Sequence, residues 1–124
     1  MFVGIDLVHI PGFATQLEQP GSRFLEVFHP LELRRATRKT NRTQHLAGCW
    51  AAKEAFVKAW SQSMYDQPPV AEEMIWSQLC IEQDQWGRVR LRQDLVAAHV
   101  EVSISHDGDY ATAVCLLEPA PADR

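Results

Sequence analysis

The sequence predicts an α+β fold, a mainly antiparallel sheet packed on one long central helix. Three observations carry this expectation. The stretch Trp50-Ala51-Ala52-Lys53-Glu54-Ala55-Phe56-Val57-Lys58-Ala59-Trp60 is rich in strong helix formers and holds no Gly or Pro. Val100, Val102, Ile104 and His106 alternate with Glu101, Ser103 and Ser105; Asp107-Gly108-Asp109 turns the chain, and Tyr110 to Glu118 returns, as in an antiparallel hairpin. Strands and helices are mixed without βαβ regularity, which argues against a parallel sheet. The 124 residues suffice for one domain, taken as 1–124, with one modest core.

Residues 2–10 read as a strand, because Phe2, Ile5, Leu7, Val8 and Ile10 are β-prone and Pro11-Gly12 stops the run. Residues 13–28 read as helical, broken at Gln19-Pro20-Gly21-Ser22, with Ser22 able to cap a short helix from Arg23 to Phe28. Pro30 suits the first turn of another helix running through Leu31, Leu33 and the basic residues. Thr40-Asn41-Arg42-Thr43 supplies a cap for the central helix. Asp66-Gln67-Pro68-Pro69 is a loop, followed by Glu72-Glu73. Ile75 to Glu82 reads as a strand, Trp86-Gly87-Arg88 as a hairpin turn into Val89 to Arg92, and Asp94 to His99 as a short helix. The Pro- and Ala-rich tail from Pro119 to Arg124 should fray.

Hydrophobic residues make up 46% and charged residues 23%, the balance of a soluble globular chain. No apolar run is long enough to span a bilayer, and no basic-then-apolar start marks a signal peptide. Cys49, Cys80 and Cys115 are odd in number and form no CxxC pair, which fits a reducing cytosol and a cytoplasmic location. The histidines have no metal-ligand spacing. A net charge of −4 points away from nucleic acid. Yet Arg34, Arg35, Arg38, Lys39 and Arg42 form a cationic run without an acid. It suits either an anionic partner or a solvated helix end.

Two carboxylates stand in unusual places. Asp6 lies within an apolar strand, where an unpaired charge is costly. It either faces solvent from an edge strand or binds a cation. Glu54 sits at the border of the helix stripe formed by Leu46, Trp50, Val57 and Trp60. With Lys58 one turn on, Glu54 could simply form an i,i+4 ion pair. If strand and helix pack together, however, Asp6 and Glu54 converge. Two carboxylates without His or Cys suit Mg²⁺, which leaves room for water and substrate phosphates. Lys58 could then reach a phosphate oxygen, a constellation for phosphoryl-type transfer. No P-loop, Gly-rich kinase loop or Rossmann fingerprint is present.

Three segments resemble the signature of the 4'-phosphopantetheinyl transferases, specifically the small holo-acyl-carrier-protein synthase type. Gly4-Ile5-Asp6-Leu7-Val8-His9-Ile10 is similar to that family's G-x-D-x-x-x-I. The stretch from Trp50 to Ala59 is similar to its (F/W)-x-x-K-E-A-x-x-K, and Val102-Ser103-Ile104-Ser105-His106 to its S-(I/L)-(S/T)-H strand end. Arg23-Phe24 and Phe28 to Glu32 fit the segment between the first two motifs. The resemblance implies transfer of the 4'-phosphopantetheine arm of coenzyme A to a serine of an apo acyl carrier protein, with release of adenosine 3',5'-bisphosphate. It implies Asp6 and Glu54 as Mg²⁺ ligands, with Lys58 on the pyrophosphate and leaving group. Asp6, Glu54 and Lys58 are the expected catalytic set. Lys53 is expected on coenzyme A phosphates and His106 beside the adenosine 3'-phosphate. It also implies a homotrimer with active sites between subunits.

The chain departs from the family in places. The start of the first strand is shortened. Cys49 stands where relatives often carry an Arg, so Arg42 or Arg38 is the expected substitute phosphate contact. The helix after the first motif, Pro11 to Glu18, has no cation with which to grip an acidic carrier, so a carrier domain embedded in a fatty acid synthase is an alternative partner. Gly87-Arg88-Val89 replaces a common Gly-Lys-Pro turn. The rival reading is a non-catalytic trimeric module of a larger synthase, which should have lost Asp6, Glu54 or Lys58.

Overall fold

The computed structural model describes residues 1–69 and 74–121. Strand β1 (Phe2–His9) leads directly into helix α1 (Ile10–Glu18), and a 3-10 turn over Phe24–Val27 precedes helix α2 (Pro30–Ala36). Helix α3 (Arg42–Ser63) follows, then a 3-10 turn at Trp76–Gln78 and strands β2 (Cys80–Gln83), β3 (Val89–Arg92), β4 (Ala98–Asp107) and β5 (Tyr110–Pro119). The long strands form an antiparallel sheet in the order β1-β5-β4, and β2-β3 forms a separate hairpin. Helix α3 packs across one face of the larger sheet, so the predicted α+β architecture is the observed one.

β1 alternates. Gly4, Asp6 and Val8 face inward, while Val3, Ile5 and Leu7 remain exposed on the open face of the sheet. A side chain at position 4 would place its Cβ 1.9 Å from Ala55 O and 2.6 Å from Ala59 N. Glycine is therefore required there by the close approach of strand and helix. The facing surface of α3 is correspondingly small, with Ala51, Ala52, Ala55 and Ala59 fully buried. Of the predicted stripe, Leu46 and Trp60 are buried, but Trp50 and Val57 are only half-buried. Asn41 caps α3 by accepting from Gln44 N–H at 3.0 Å.

Several boundaries differ from expectation. α1 begins at Ile10, not residue 13, because Pro11 fits a helix's first turn. The expected helix from Arg23 to Phe28 is a single 3-10 turn, with Ser22 Oγ accepting from Phe24 N–H at 3.2 Å. α2 ends at Ala36, so Arg38 and Lys39 lie in a turn. Between Ile75 and Glu82 a 3-10 turn precedes a short strand. The expected helix from Asp94 to His99 does not form. The Gln93 side chain instead takes the N–H groups of Leu95 (2.8 Å) and Val96 (3.0 Å), holding a bend that feeds β4. Glu72-Glu73 and the last three tail residues lie outside the described residues.

Candidate active site

Asp6 and Glu54 meet where β1 crosses α3. Asp6 is 7% exposed, and its main-chain carbonyl accepts from Thr112 Oγ1 at 2.8 Å on the neighbouring strand. Lys58 Nζ donates to Asp6 Oδ1 at 2.9 Å and to Ile5 O at 3.1 Å. Lys58 thus pairs across to the strand rather than along its own helix to Glu54. Asp6 Oδ2 is buried and has no donor among the described residues. The Glu54 carboxyl is pushed up to about 7, by its own burial first and then by Asp6 as hydrogen-bond partner and like charge, with Lys58 opposing. A proton on Glu54 would donate to Asp6; with both ionised, the pair carries an uncompensated charge.

This arrangement fits a hard divalent cation. The orphaned Oδ2 and the half-buried Glu54 offer two oxygen ligands and no soft ones. Among the described residues no three His, Cys, Asp or Glu side chains cluster to hold a metal. Further ligands would be water and substrate oxygens, as Mg²⁺ chemistry commonly uses.

On the other flank of α3 an open cleft of about 820 Å³ lies between the start of the helix, the β2-β3 hairpin and the end of β4. His106 lines it together with Lys39 and Arg88. Asp6, Glu54 and Lys58 do not line it. A single protomer thus brings the three expected catalytic residues together and puts the third motif's histidine elsewhere. Arg38 and Arg42 are exposed and outside this cleft; Arg38 lines a different groove with Leu31 and Arg34. Lys39 and Arg88 are the cations present in it. Lys39 belongs to the cationic run named from the sequence, and its Nζ is oriented by Gln83 Oε1 at 2.7 Å.

Lys53 is placed against expectation. Its side chain has no exposed surface, and Nζ donates to Glu32 Oε1 at 2.6 Å, Val27 O at 2.7 Å and Trp76 O at 3.3 Å. All its donors are engaged inside the protein, so it has no reach to a phosphate. Arg35 is also drawn inward. It donates to Ile81 O at 2.7 Å and to His45 Nε2 at 3.0 Å, and lies 3.7 Å from Cys49 Sγ. The guanidinium next to Cys49 comes from Arg35, not from Arg38 or Arg42. Burial, then Arg35 and Lys39, push His45 down to about 4. Burial foremost pushes the Cys49 thiol up to about 12, so Cys49 is no nucleophile.

Comparison with known proteins agrees with the three motifs. The family profile described as 4'-phosphopantetheinyl transferase superfamily matches residues 2–115. A holo-[acyl-carrier-protein] synthase of Corynebacterium efficiens is 52% identical, over 97% of this chain and 95% of that protein. A solved ACPS-CoA complex from Chronobacterium ammoniagenes superposes with a TM-score of 0.91 at 51% identity, over 97% of this chain and 98% of that one. The acyl carrier protein synthase of Mycobacterium tuberculosis superposes with a TM-score of 0.77 at 41% identity, over 96% and 97%.

Proposed function

The chain belongs to the 4'-phosphopantetheinyl transferase superfamily, and we propose that it works as a holo-[acyl-carrier-protein] synthase, moving the 4'-phosphopantetheine arm of coenzyme A to a carrier serine. The serine hydroxyl gives its proton to a general base, its Oγ bonds to the phosphorus that carries pantetheine, and the bond from that phosphorus to the pyrophosphate bridging oxygen breaks, releasing adenosine 3',5'-bisphosphate. The observation that carries the reading is the convergence of Asp6, Glu54 and Lys58 around the orphaned Asp6 Oδ2. Asp6 and Glu54 would hold Mg²⁺, which supplies charge neutralisation at the pyrophosphate. Lys58 is more than half exposed while anchored on Asp6, so its ammonium can turn toward a phosphate as leaving-group charge develops.

Coenzyme A takes the basic cleft in this reading, with its anionic end near Lys39, Arg88 and His106. Because that cleft and the carboxylate pair lie on different flanks of α3, a complete site needs two protomers. A homotrimer would bring the cleft of one against the carboxylates of the next. Its contact surface is the open face of β1, where Val3, Ile5 and Leu7 stand exposed beside Leu116. The carrier is an apo acyl carrier protein or the carrier domain of a fatty acid synthase. A non-catalytic module would have no use for the intact, converging triad. The three buried thiols fit a reducing compartment such as the cytoplasm.

The test is direct. The protein is mixed with coenzyme A, Mg²⁺ and apo carriers, and the carriers are weighed by mass spectrometry. The arm should appear on a serine with the wild type and be nearly lost with Asp6→Ala or Glu54→Ala. Calorimetry with coenzyme A present should show weakened Mg²⁺ binding in the double variant. Wild-type Mg²⁺ affinity there would sink the site assignment, and no mass gain on any carrier would sink the activity.

A further inference from the structure

His45 lies in the first turn of α3. A spacing of four puts it on one face with Asn41 and Cys49, and all three line the large cleft. Arg35 Nε donates to His45 Nε2 at 3.0 Å. A guanidinium gives hydrogen bonds and accepts none. Nε2 is therefore the bare nitrogen of a neutral ring, and the hydrogen sits on Nδ1. Burial first, then Arg35 and Lys39, keep the ring neutral by pushing it down to about 4. Nδ1 has no partner among the described residues. It is not sealed in the core either, because Asp6 Oδ2 is the buried side-chain polar atom left unpaired among them. The Nδ1–H is thus a fixed, neutral donor open to the cleft. Among the described residues no Asp or Glu lines that cleft, whereas Lys39 and Arg88 do.

We propose that His45 is a specificity-determining residue for coenzyme A, donating from Nδ1–H to an oxygen of the phosphate monoester on the adenosine 3' position. This rests on the transferase reading above and deepens it. That reading gives the pyrophosphate to the carboxylate pair and its cation, so the monoester is the anion left for the basic cleft. Lys39 stands near enough for its charge to be felt at His45, so one phosphate can meet the ammonium and the Nδ1–H together. A phosphate brings three acceptor oxygens, which suits a wall of donors. The donors divide the work. Lys39 and Arg88 are exposed cations that attract any anion, and salt weakens them. A neutral N–H with a set direction rewards only an oxygen placed in line with it. Cys49, one turn on, is an uncharged thiol and adds no cation to this face. His45 thus accepts from Arg35 on one edge and donates to the ligand on the other, and the two edges are separable by substitution.

His45→Gln places an amide oxygen where Arg35 needs an acceptor but leaves no N–H at the Nδ1 position. His45→Asn does the reverse: its amide N–H falls near the Nδ1 position, and the acceptor for Arg35 is gone. Calorimetry without carrier measures the affinity of each protein for adenosine 3',5'-bisphosphate and for adenosine 5'-phosphate, which lacks the monoester. Transfer kinetics with coenzyme A and dephospho-coenzyme A read the same preference during turnover. His45→Gln should lose the preference for the 3'-phosphorylated ligand by roughly tenfold, the scale of one hydrogen bond to a charged group, with the affinity for adenosine 5'-phosphate unchanged. His45→Asn should keep most of the preference and melt earlier. A wild-type preference in His45→Gln would reduce His45 to a partner of Arg35 and overturn the proposal. An equal loss for both ligands would overturn it too, as would an equal loss of preference in both variants. A wild type that transfers no arm to any carrier would sink the transferase reading, while the comparison without carrier still judges His45.

Discussion

Lys53 Nζ sits 2.6 Å from Glu32 Oε1, and neither side chain reaches solvent. Glu32 also accepts from His29 N–H at 2.8 Å and Ile81 N–H at 2.9 Å, so one carboxylate ties the start of α2 to α3 and β2. Burial pulls the Lys53 ammonium below its usual range, and Glu32 opposes that shift. Removing one partner strands the other charge in the core. Lys53→Met should cost roughly 3–5 kcal/mol in urea unfolding while leaving the KM for coenzyme A unchanged in the folded fraction. A raised KM with full stability would instead restore Lys53 as a cofactor contact.

Glu54 should make the metal-free protein sensitive to pH. Its folded pKa of about 7 exceeds the ordinary 4.5, so between those values the folded state binds a proton that the unfolded chain has lost. Its contribution to stability therefore falls as pH rises through that window. His45 acts in the opposite sense: its pKa drops from 6.5 to about 4, so its contribution is lost as pH falls. Glu54→Gln isolates the first effect. Its stability relative to wild type should be higher at about pH 8 than at about pH 5. An equal difference at both would contradict the shared burial of the pair.

Within the basic run the two neighbours should behave differently. Lys39 lines the large cleft and Arg38 does not. Lys39→Glu should raise the KM for coenzyme A on the order of tenfold at low salt, with the effect shrinking as salt is added. Arg38→Glu should change it little. Equal effects would mean that the run acts only as a diffuse field.

The open face of β1 predicts the assembly. Ile5 is 64% exposed, and its side chain points away from α3. If the proposed homotrimer uses this face, Ile5→Glu should lower the mass seen by light scattering to that of a monomer and remove most transfer. An unchanged mass would leave that face without a role in association.

The carboxylate pair was legible because each member broke a local rule. Asp6 interrupts an apolar strand, and Glu54 borders an apolar stripe; local periodicity reports both. The partner of Lys58 was not legible, because Asp6 lies 52 residues away and only the packing of β1 on α3 joins them. Lys53 was misread for the same reason. Its helix spacing could not tell that Glu32, from another helix, covers that face. Arg35 reaches Ile81 over 46 residues, so its withdrawal from the basic run is equally a tertiary fact. Between Gln93 and Ala98 the error was local: the Gln93 side chain folds back on Leu95 and Val96 and holds a bend that runs into β4 instead of opening a helix.

Among the described residues β1 pairs with β5 alone, and Phe2 lies opposite Leu117. During synthesis β1 leaves the ribosome long before its partner exists. At about 5–20 residues per second the wait is on the order of ten seconds. Over that time Val3, Ile5 and Leu7 belong to an unpaired strand. α3 can form its turns, but the strand that holds Asp6 against Glu54 has no sheet to join. A nascent chain halted before Tyr110 should therefore lack the carboxylate pair, however complete its helices. Activity arrives with the last strand translated, and until then the exposed first strand is the segment a chaperone would have most reason to shield.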